Sequence, residues 1–418
     1  MSLSGALNSA VSALSAQSTA LAMISDNIAN ASTYGYKTSS ASFESLLTGT
    51  SSSTYSAGGV AVSTVSNISM QGLLTSSTTA TNMAIDGNGF FVVTTGTDSA
   101  NTSYTRNGAF TVNESGYLTN GEYYLQGWPT DADGNVTGGT TASALESINT
   151  TAVSSIAAAT TEMSMQANLP AEAATNATFT SEVEIYDSLG TAAKTTVTWE
   201  KTGENTWTAT FSNPTSTDGT STLGTVTSDP ITISFNADGT LASTSPSPPT
   251  LTIANWTTGA ADSSVTLDMG SAGTATGLSQ LSTSAETLGV SLETEQDGVS
   301  FGSLTGVSIS DGTVYASYDN GTQRAIYKVA VATFNNPDGL NAEGSGVYSA
   351  STESGASTLN IAGTNGAGTV VGSKLEASTS DTSTEFSNMM SAQQAYSAAA
   401  QVMSAANKMY DTLITAVR

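Results

Sequence analysis

The sequence predicts a mixed, mainly β fold: terminal α-helices that pair as a coiled coil, plus two or more β domains, the outer one inserted into the inner one. Three observations lead there. Apolar residues at both ends of the chain recur in the three-four rhythm of a heptad. All eight prolines fall between Pro129 and Pro337, so neither end carries the strongest helix breaker. Between the ends the apolar period drops to two, with Asn-Gly and Asp-Gly pairs at hairpin spacing. At 418 residues the chain is long enough for about three domains of roughly 150 residues each.

The first element is a helix on which Leu7, Leu14, Leu21 and Ile28 recur every seventh residue, with Leu3, Ala10, Ile24 and Ala31 at the alternating position and Gln17 as the polar break. The last repeats the pattern. There Phe386, Gln393, Ala400, Asn407 and Ile414 alternate with Met389, Tyr396, Met403, Tyr410 and Val417. A helix from Thr384 to Val417 is about 50 Å long at a rise of about 1.5 Å per residue. Two core helices of a bundle carry the same stripes. Yet each stripe sits where chains usually fray, and most opposing positions are Ser, Ala, Asn and Gln instead of salt-bridging Lys and Glu. Such helices are marginal alone and are expected to be buried by other copies.

The first helix runs out in "SDNIANASTYGYKTSS", residues 25–40. Asn27 and Asn30 can cap carbonyls or tolerate left-handed backbone, and Gly35 permits a turn that a Cβ resists, before Tyr36 and Lys37. Residues 1–34 with 381–418 are therefore assigned to the helical domain, and 35–81 with 356–380 to connectors. The connectors include the polar Gly/Ser runs "TGTSSSTYSAGG" at 48–59 and "GTNGAGTVVGS" at 363–373.

Residues 82–158 with 287–355 are read as a discontinuous inner β domain. "NGFFVVTT" is a buried-strand run, and Asn107-Gly108, Ser115-Gly116 and Asn120-Gly121 punctuate the next segment at hairpin spacing. "GVSISDGTVYASYDNGTQRAIYKVAVATF" gives three strands with turns at Asp311-Gly312 and Asn320-Gly321. Residues 159–286 form the inserted outer β domain. Its hairpin "TTVTWEKTGENTWTATF" places Val197 and Trp199 on one face with Trp207, Ala209 and Phe211 if the turn spans Gly203. "STSPSPPT" at 243–250 is a loop within it.

Chemistry is sparse. The chain holds no His and no Cys, which removes Ser-His-Asp triads, His metal ligands, disulfides and the usual zinc sites. A Ser-Lys arrangement is left to few lysines. "GAGTVVG" at 366–372 has its third Gly one residue late for a dinucleotide loop, and no βαβ unit surrounds it. "DADGN" at 131–135 opens like a calcium loop but lacks a Glu at the twelfth position, so a surface turn is expected. Sequons such as Asn30-Ala31-Ser32 follow from Ser/Thr richness. Neither a catalytic residue, nor a metal, nor a cofactor is assigned. Nine basic residues against 34 acidic ones leave a net charge of -25, which repels nucleic acid and anionic membrane alike. The start of the chain does not read as a signal peptide, and no stretch reaches the roughly 18 apolar residues of a membrane span.

Four blocks, in order, resemble the flagellar rod and hook axial protein family. "SDNIANASTYGYKTSSASFESLL" is similar to that family's N-terminal signature, in which a helix ends in an Asn-x-x-Asn element followed by a Gly-aromatic-Lys step. "NMAIDGNGFFVV" with "YTRNGAFTVNESGYLTNGEYYLQGW" resembles the next block, "TGVSISDGTVYASYDNGTQRAIYKVAVATFNNPDGL" the third, and "SKLEASTSDTSTEFSNMMSAQQAYSAAAQVMSAANKMYDTLI" the C-terminal helix. Asp26 departs from the Asn or Ser often found there, and Thr215 to Ser284 matches least well. Length and the β insert are closest to the hook branch of the family.

The resemblance implies a subunit that self-assembles into a curved hollow helical polymer, a flexible universal joint passing motor torque to the filament. It implies Asn27, Asn30, Gly35, Tyr36 and Lys37 as the motif where the chain leaves an inner helical layer. Leu3, Leu7, Leu14, Leu21, Ile28, Phe386, Met389, Tyr396, Met403, Tyr410 and Ile414 are the expected assembly interface. Further copies, the rod, the hook cap, the hook-filament junction proteins and the export apparatus are the implied partners, without nucleic acid or membrane insertion. The implied location is outside the cell, after export without a cleaved signal. A straight distal-rod subunit is the near alternative and a secreted β-rich adhesin the distant one. An enzyme ranks last.

Overall fold

Helices close both ends of the chain in the computed structural model, which describes residues 3–46, 58–97, 102–274, 276–283 and 287–417. Helix α1 spans Leu3–Ala29 and α2 spans Thr382–Val417. Asp381 starts α2 by accepting the Thr384 N–H at 2.9 Å, an N-cap contact. Asn30 ends α1: its backbone N–H and its side-chain amide both donate to the Asp26 carbonyl, at 3.1 and 2.9 Å. The two helices pack against each other. Asn27 near the end of α1 bonds Glu385 in the first turn of α2, and Ala406, far along α2, is only 1% exposed. Helix α2 therefore runs back along α1. Strands β1 (Ser39–Ser45) and β2 (Val60–Ser66) form an antiparallel hairpin that also contacts α1. Most of the 48–59 connector lies outside the described residues.

The chain divides into two compact units. Unit 1 combines Met1–Ala152, Val307–Ala316 and Arg324–Arg418. Its central strand, Phe90–Thr94, is buried at every position and pairs antiparallel with Thr102–Thr105 and Tyr123–Pro129. Trp128, Phe90, Val92, Tyr104, Leu340 and Tyr348 make the core. Phe334 meets the edges of Phe90 and Tyr104 at 5.9 and 4.8 Å between ring centroids. Ser115-Gly116 and Asn120-Gly121 turn as expected, with Gly116 and Gly121 at positive φ. So does Asp311-Gly312, both left-handed, the signature of a two-residue hairpin.

Two expectations in this unit fail. Asn107-Gly108 closes no hairpin: Thr102–Thr105 pairs elsewhere, and Gly108 is needed because a Cβ there would sit 1.6 Å from the Met83 carbonyl oxygen. The 363–373 run is not merely a connector. After a turn at Gly366, Thr369–Gly372 is a strand paired with Met83–Asp86, and Val370 is fully buried.

Unit 2 combines Val153–Gly306 with Ser317–Gln323. Two six-stranded sheets share one core that includes Met165, Trp199, Trp207, Ile233, Leu251 and Val265. The hairpin Ala192–Gly203 with Thr206–Phe211 has the expected register: Trp199 opposes Ala209 and Val197 opposes Phe211. The indole N–H of Trp207 donates to Gln280 Oε1 at 2.9 Å and that of Trp256 to Ser263 at 3.1 Å. The Pro-rich 243–250 stretch links the strands Leu241–Ser245 and Thr250–Ala254.

Candidate assembly interface

Asn27 is where α1, α2 and β1 meet. Its amide donates to the Ser39 carbonyl and to Glu385 Oε1, both at 2.9 Å, and its oxygen accepts the Ser39 N–H at 3.1 Å and the Tyr36 hydroxyl at 3.2 Å. Two donors and two acceptor sites are thus all used, and the residue is 2% exposed. No other side chain of this size offers that set. Gly35 then turns the chain at φ +69°, its N–H donating to the Glu376 carbonyl at 2.8 Å. A Cβ at Gly35 would lie 2.6 Å from the Asn107 nitrogen.

Lys37 enters the interior beneath that turn. Its ammonium donates to Glu376 Oε1 at 2.5 Å and to the Met70 carbonyl. Glu376 is itself 1% exposed and accepts the Gly72 N–H at 2.7 Å and Arg106 Nη1 at 3.2 Å. Arg106 Nη2 donates to the Gly87 carbonyl at 2.7 Å, and its guanidinium lies 5.3 Å from the Phe90 ring centroid. Two cations therefore share one carboxylate, and the carbonyls of Met70, Ile85 and Gly87 accept further N–H groups, while Arg106 Nε is buried without a partner among the described residues. Burial lowers the pKa of both Lys37 and Arg106, and Glu376 opposes that fall. Burial also pushes the nearby Tyr348 hydroxyl up to about 12. The cluster joins segments that are distant in sequence. Lys37 was singled out by its motif, but Arg106 and Glu376 were not; the available signal was the scarcity of bases, nine in 418 residues.

Along the helices the expected interface splits. Leu7, Leu14, Leu21 and Ile28 are half-buried, while Ala10, Ala16 and Ala20 are buried. Leu3 belongs to α1, with its side chain outside the described residues. On α2 Met389, Met403 and Tyr410 are half-buried and Tyr396 is 42% exposed. Phe386 and Ile414 are 55% and 60% exposed. Instead, Glu385, Ala392 and Ala406 are the buried residues of α2 among those described, one position before the expected Phe386-Gln393-Asn407 row. A groove of about 350 Å³ remains between α1, β1 and α2, lined among others by Met23, Ile24, Phe43, Glu385 and Ala392.

Four family models cover these segments in order. Residues 7–37 match "Flagella basal body rod protein", 84–175 "Flagellar hook protein FlgE/F/G D1 domain", 149–299 "Flagellar basal body protein FlaE D2 domain", and 372–416 "Flagellar basal body rod FlgEFG protein C-terminal". The flagellar hook protein FlgE of Rhizobium meliloti (strain 1021) is 33% identical over 430 residues, with all of both chains covered. The chain belongs to the flagellar hook protein family. The hook protein FlgE of Escherichia coli (strain K12) is 32% identical, covering 98% of this chain and 99% of that one. A crystal structure of Helicobacter pylori hook protein FlgE2 is similar in fold, with a TM-score of 0.51 at 13% identity over 72% of this chain and all of that one. Hook family members are structural components of the bacterial flagellum and not enzymes.

Proposed function

We propose that this chain is the repeating subunit of a flagellar hook, a curved hollow polymer that bends while it passes torque to the filament. One observation carries the reading: Phe386, Met390, Val402, Met409, Leu413 and Ile414 of α2 are each 50–60% exposed. That much apolar surface on one helix is a docking face, and further copies of the chain are its occupant. A head-to-tail contact that does not close generates a helix of subunits. The terminal helices pair as an inner coiled coil, residues 82–158 with 287–355 form the inner β domain, and 159–286 form the outer inserted one. Leu3, Leu7, Leu14, Leu21 and Ile28 join the α2 stripe at the interface. Methionine-containing contacts without fixed ion pairs can shift between near-equivalent packings, which is what a bending tube needs. Export without a cleaved signal, and joining to rod, cap and junction proteins, belong to the same proposal.

Electron microscopy of the purified chain tests it, before and after high salt shortens the screening length from about 10 Å at 0.1 M to about 3 Å at 1 M. Curved hollow tubes are expected. Straight rigid tubes would identify a distal-rod subunit, the reading favoured by the two rod-named terminal matches. Replacing Leu14 and Leu21 with Asp should abolish tubes; tubes of normal yield from that variant would refute the interface.

A further inference from the structure

We infer that Met390 and Met409 of α2 are oxidation sites, and that converting their thioethers to sulfoxides holds the subunit out of the polymer until they are reduced again. This rests on the subunit reading and adds a chemical control of its assembly. Cysteine and tryptophan do not compete for oxidant: the chain has no Cys, and its four tryptophans are at most 6% exposed. Eleven methionines remain, and burial sorts the described ones. Met83, Met163, Met165 and Met269 belong to the β-rich segments and are at most 2% exposed. Met390 and Met409 are 60% and 53% exposed, and Met70, on a connector, 54%. Helix α2 alone holds four of the eleven, the half-buried Met389 and Met403 being the others.

A two-electron oxidant such as hydrogen peroxide supplies the oxygen. The thioether lone pair attacks one peroxide oxygen, an S–O bond forms as the O–O bond breaks, and the proton on the transferred oxygen passes to the departing hydroxide as water. Sulfur is oxidised by two electrons and peroxide is reduced by two. The product replaces a flexible apolar side chain with a polar, chiral one. Position decides the consequence. Met390 stands one turn after Phe386 and Met409 one turn before Leu413, both pairs at i, i+4 spacing, and Phe386 and Leu413 are 55% and 59% exposed. Each sulfoxide therefore enters an apolar patch of the proposed docking face. In the free subunit its oxygen stays hydrated, whereas a copy covering the patch strips that water away at a cost. Met70 offers the contrast, equally exposed but outside either helix, between β2 and the strand Leu74–Ser76. Sulfoxide reductases return the thioether, so the block is reversible.

Peroxide treatment of the full chain, before and after polymer has formed, tests this residue by residue through peptide mass spectrometry. In the free chain Met390 and Met409 should gain oxygen ahead of Met83, Met163, Met165 and Met269, with monomer melting unchanged. In polymer the same two should react much more slowly. Oxidising the free chain should raise the critical concentration for polymer about tenfold for each thioether lost from the contact, and a methionine sulfoxide reductase with a dithiol should restore it. The double variant Met390→Leu, Met409→Leu, compared with its own untreated reference, should lose that sensitivity, and Met70→Leu should keep it. An unmoved critical concentration, sensitivity that survives the double substitution, a fall in monomer melting, or equally fast oxidation of Met390 and Met409 in polymer would overturn the inference and leave the hook-subunit reading standing. A wild-type chain that forms no polymer at any salt would overturn that reading itself.

Discussion

A buried carboxylate between two buried cations is the most demanding residue-level feature of the molecule. Glu376→Gln would keep the shape but leave Lys37 and Arg106, 5% and 3% exposed, without their counter-ion. Removing one partner of such a pair costs about 3–5 kcal/mol, and urea unfolding should show a loss of that size. Tyr348 provides the pH-dependent counterpart. Its folded pKa of about 12 lies above the ordinary 10.0, so its stabilising share is complete below pH 10 and is lost as pH climbs toward 12. Two units correspond to about 2.7 kcal/mol. Lys37 has the opposite sign: its pKa is lowered beneath 10.5, so stability from that group rises as pH climbs toward 10.5. Tyr348→Phe should therefore flatten the loss of stability between pH 10 and 12 in denaturant titrations; an unaltered slope would show that another group controls it.

At the scale of the element, the two faces of α2 should separate in experiment. Ala392 and Ala406 are covered at 7% and 1% exposure, so Ala406→Leu forces the α1–α2 seam apart and should cost about 1–3 kcal/mol of monomer stability. Leu413 is 59% exposed, so Leu413→Ser should move monomer unfolding by less than about 0.5 kcal/mol, while raising the concentration needed for polymer. Equal effects of both changes on the monomer would contradict the assignment of faces. The contrast also shows what the sequence makes legible. Long helices, their boundaries to within a few residues, and the hairpins around Gly203 and Asp311 all follow from period and turn chemistry. The facing row of α2 does not, because a reading by hydrophobic bulk favours Phe386 over Glu385 and gives Ala392 and Ala406 no priority. Close helix packing selects small residues instead, and bulky ones such as Phe386, Leu413 and Ile414 stay exposed. Asn107-Gly108 misleads for a similar reason: its glycine answers a close approach by Met83, which comes from outside the local pattern.

For the molecule as a whole, the contrast between sparsely charged, proline-free ends and a β-rich middle is legible in composition. The convergence of Lys37, Arg106 and Glu376 is not, since no local rule joins positions so far apart. Each unit has its own apolar core, around Trp128 in unit 1 and around Trp199, Trp207 and Trp256 in unit 2. Separate cores favour separate cooperative transitions, and the tryptophans allow a direct reading. In a Trp128→Phe background every remaining tryptophan reports on unit 2. Adding Glu376→Gln, a unit 1 change, should then leave the fluorescence transition where it was while the helical signal in far-UV circular dichroism is lost at lower temperature. On the proposed reading that division is useful, because the core of unit 2 can stay folded while unit 1, which carries both terminal helices, adjusts on assembly. If both signals instead shift together, the chain unfolds as one cooperative body, and assembly cannot act on the ends alone.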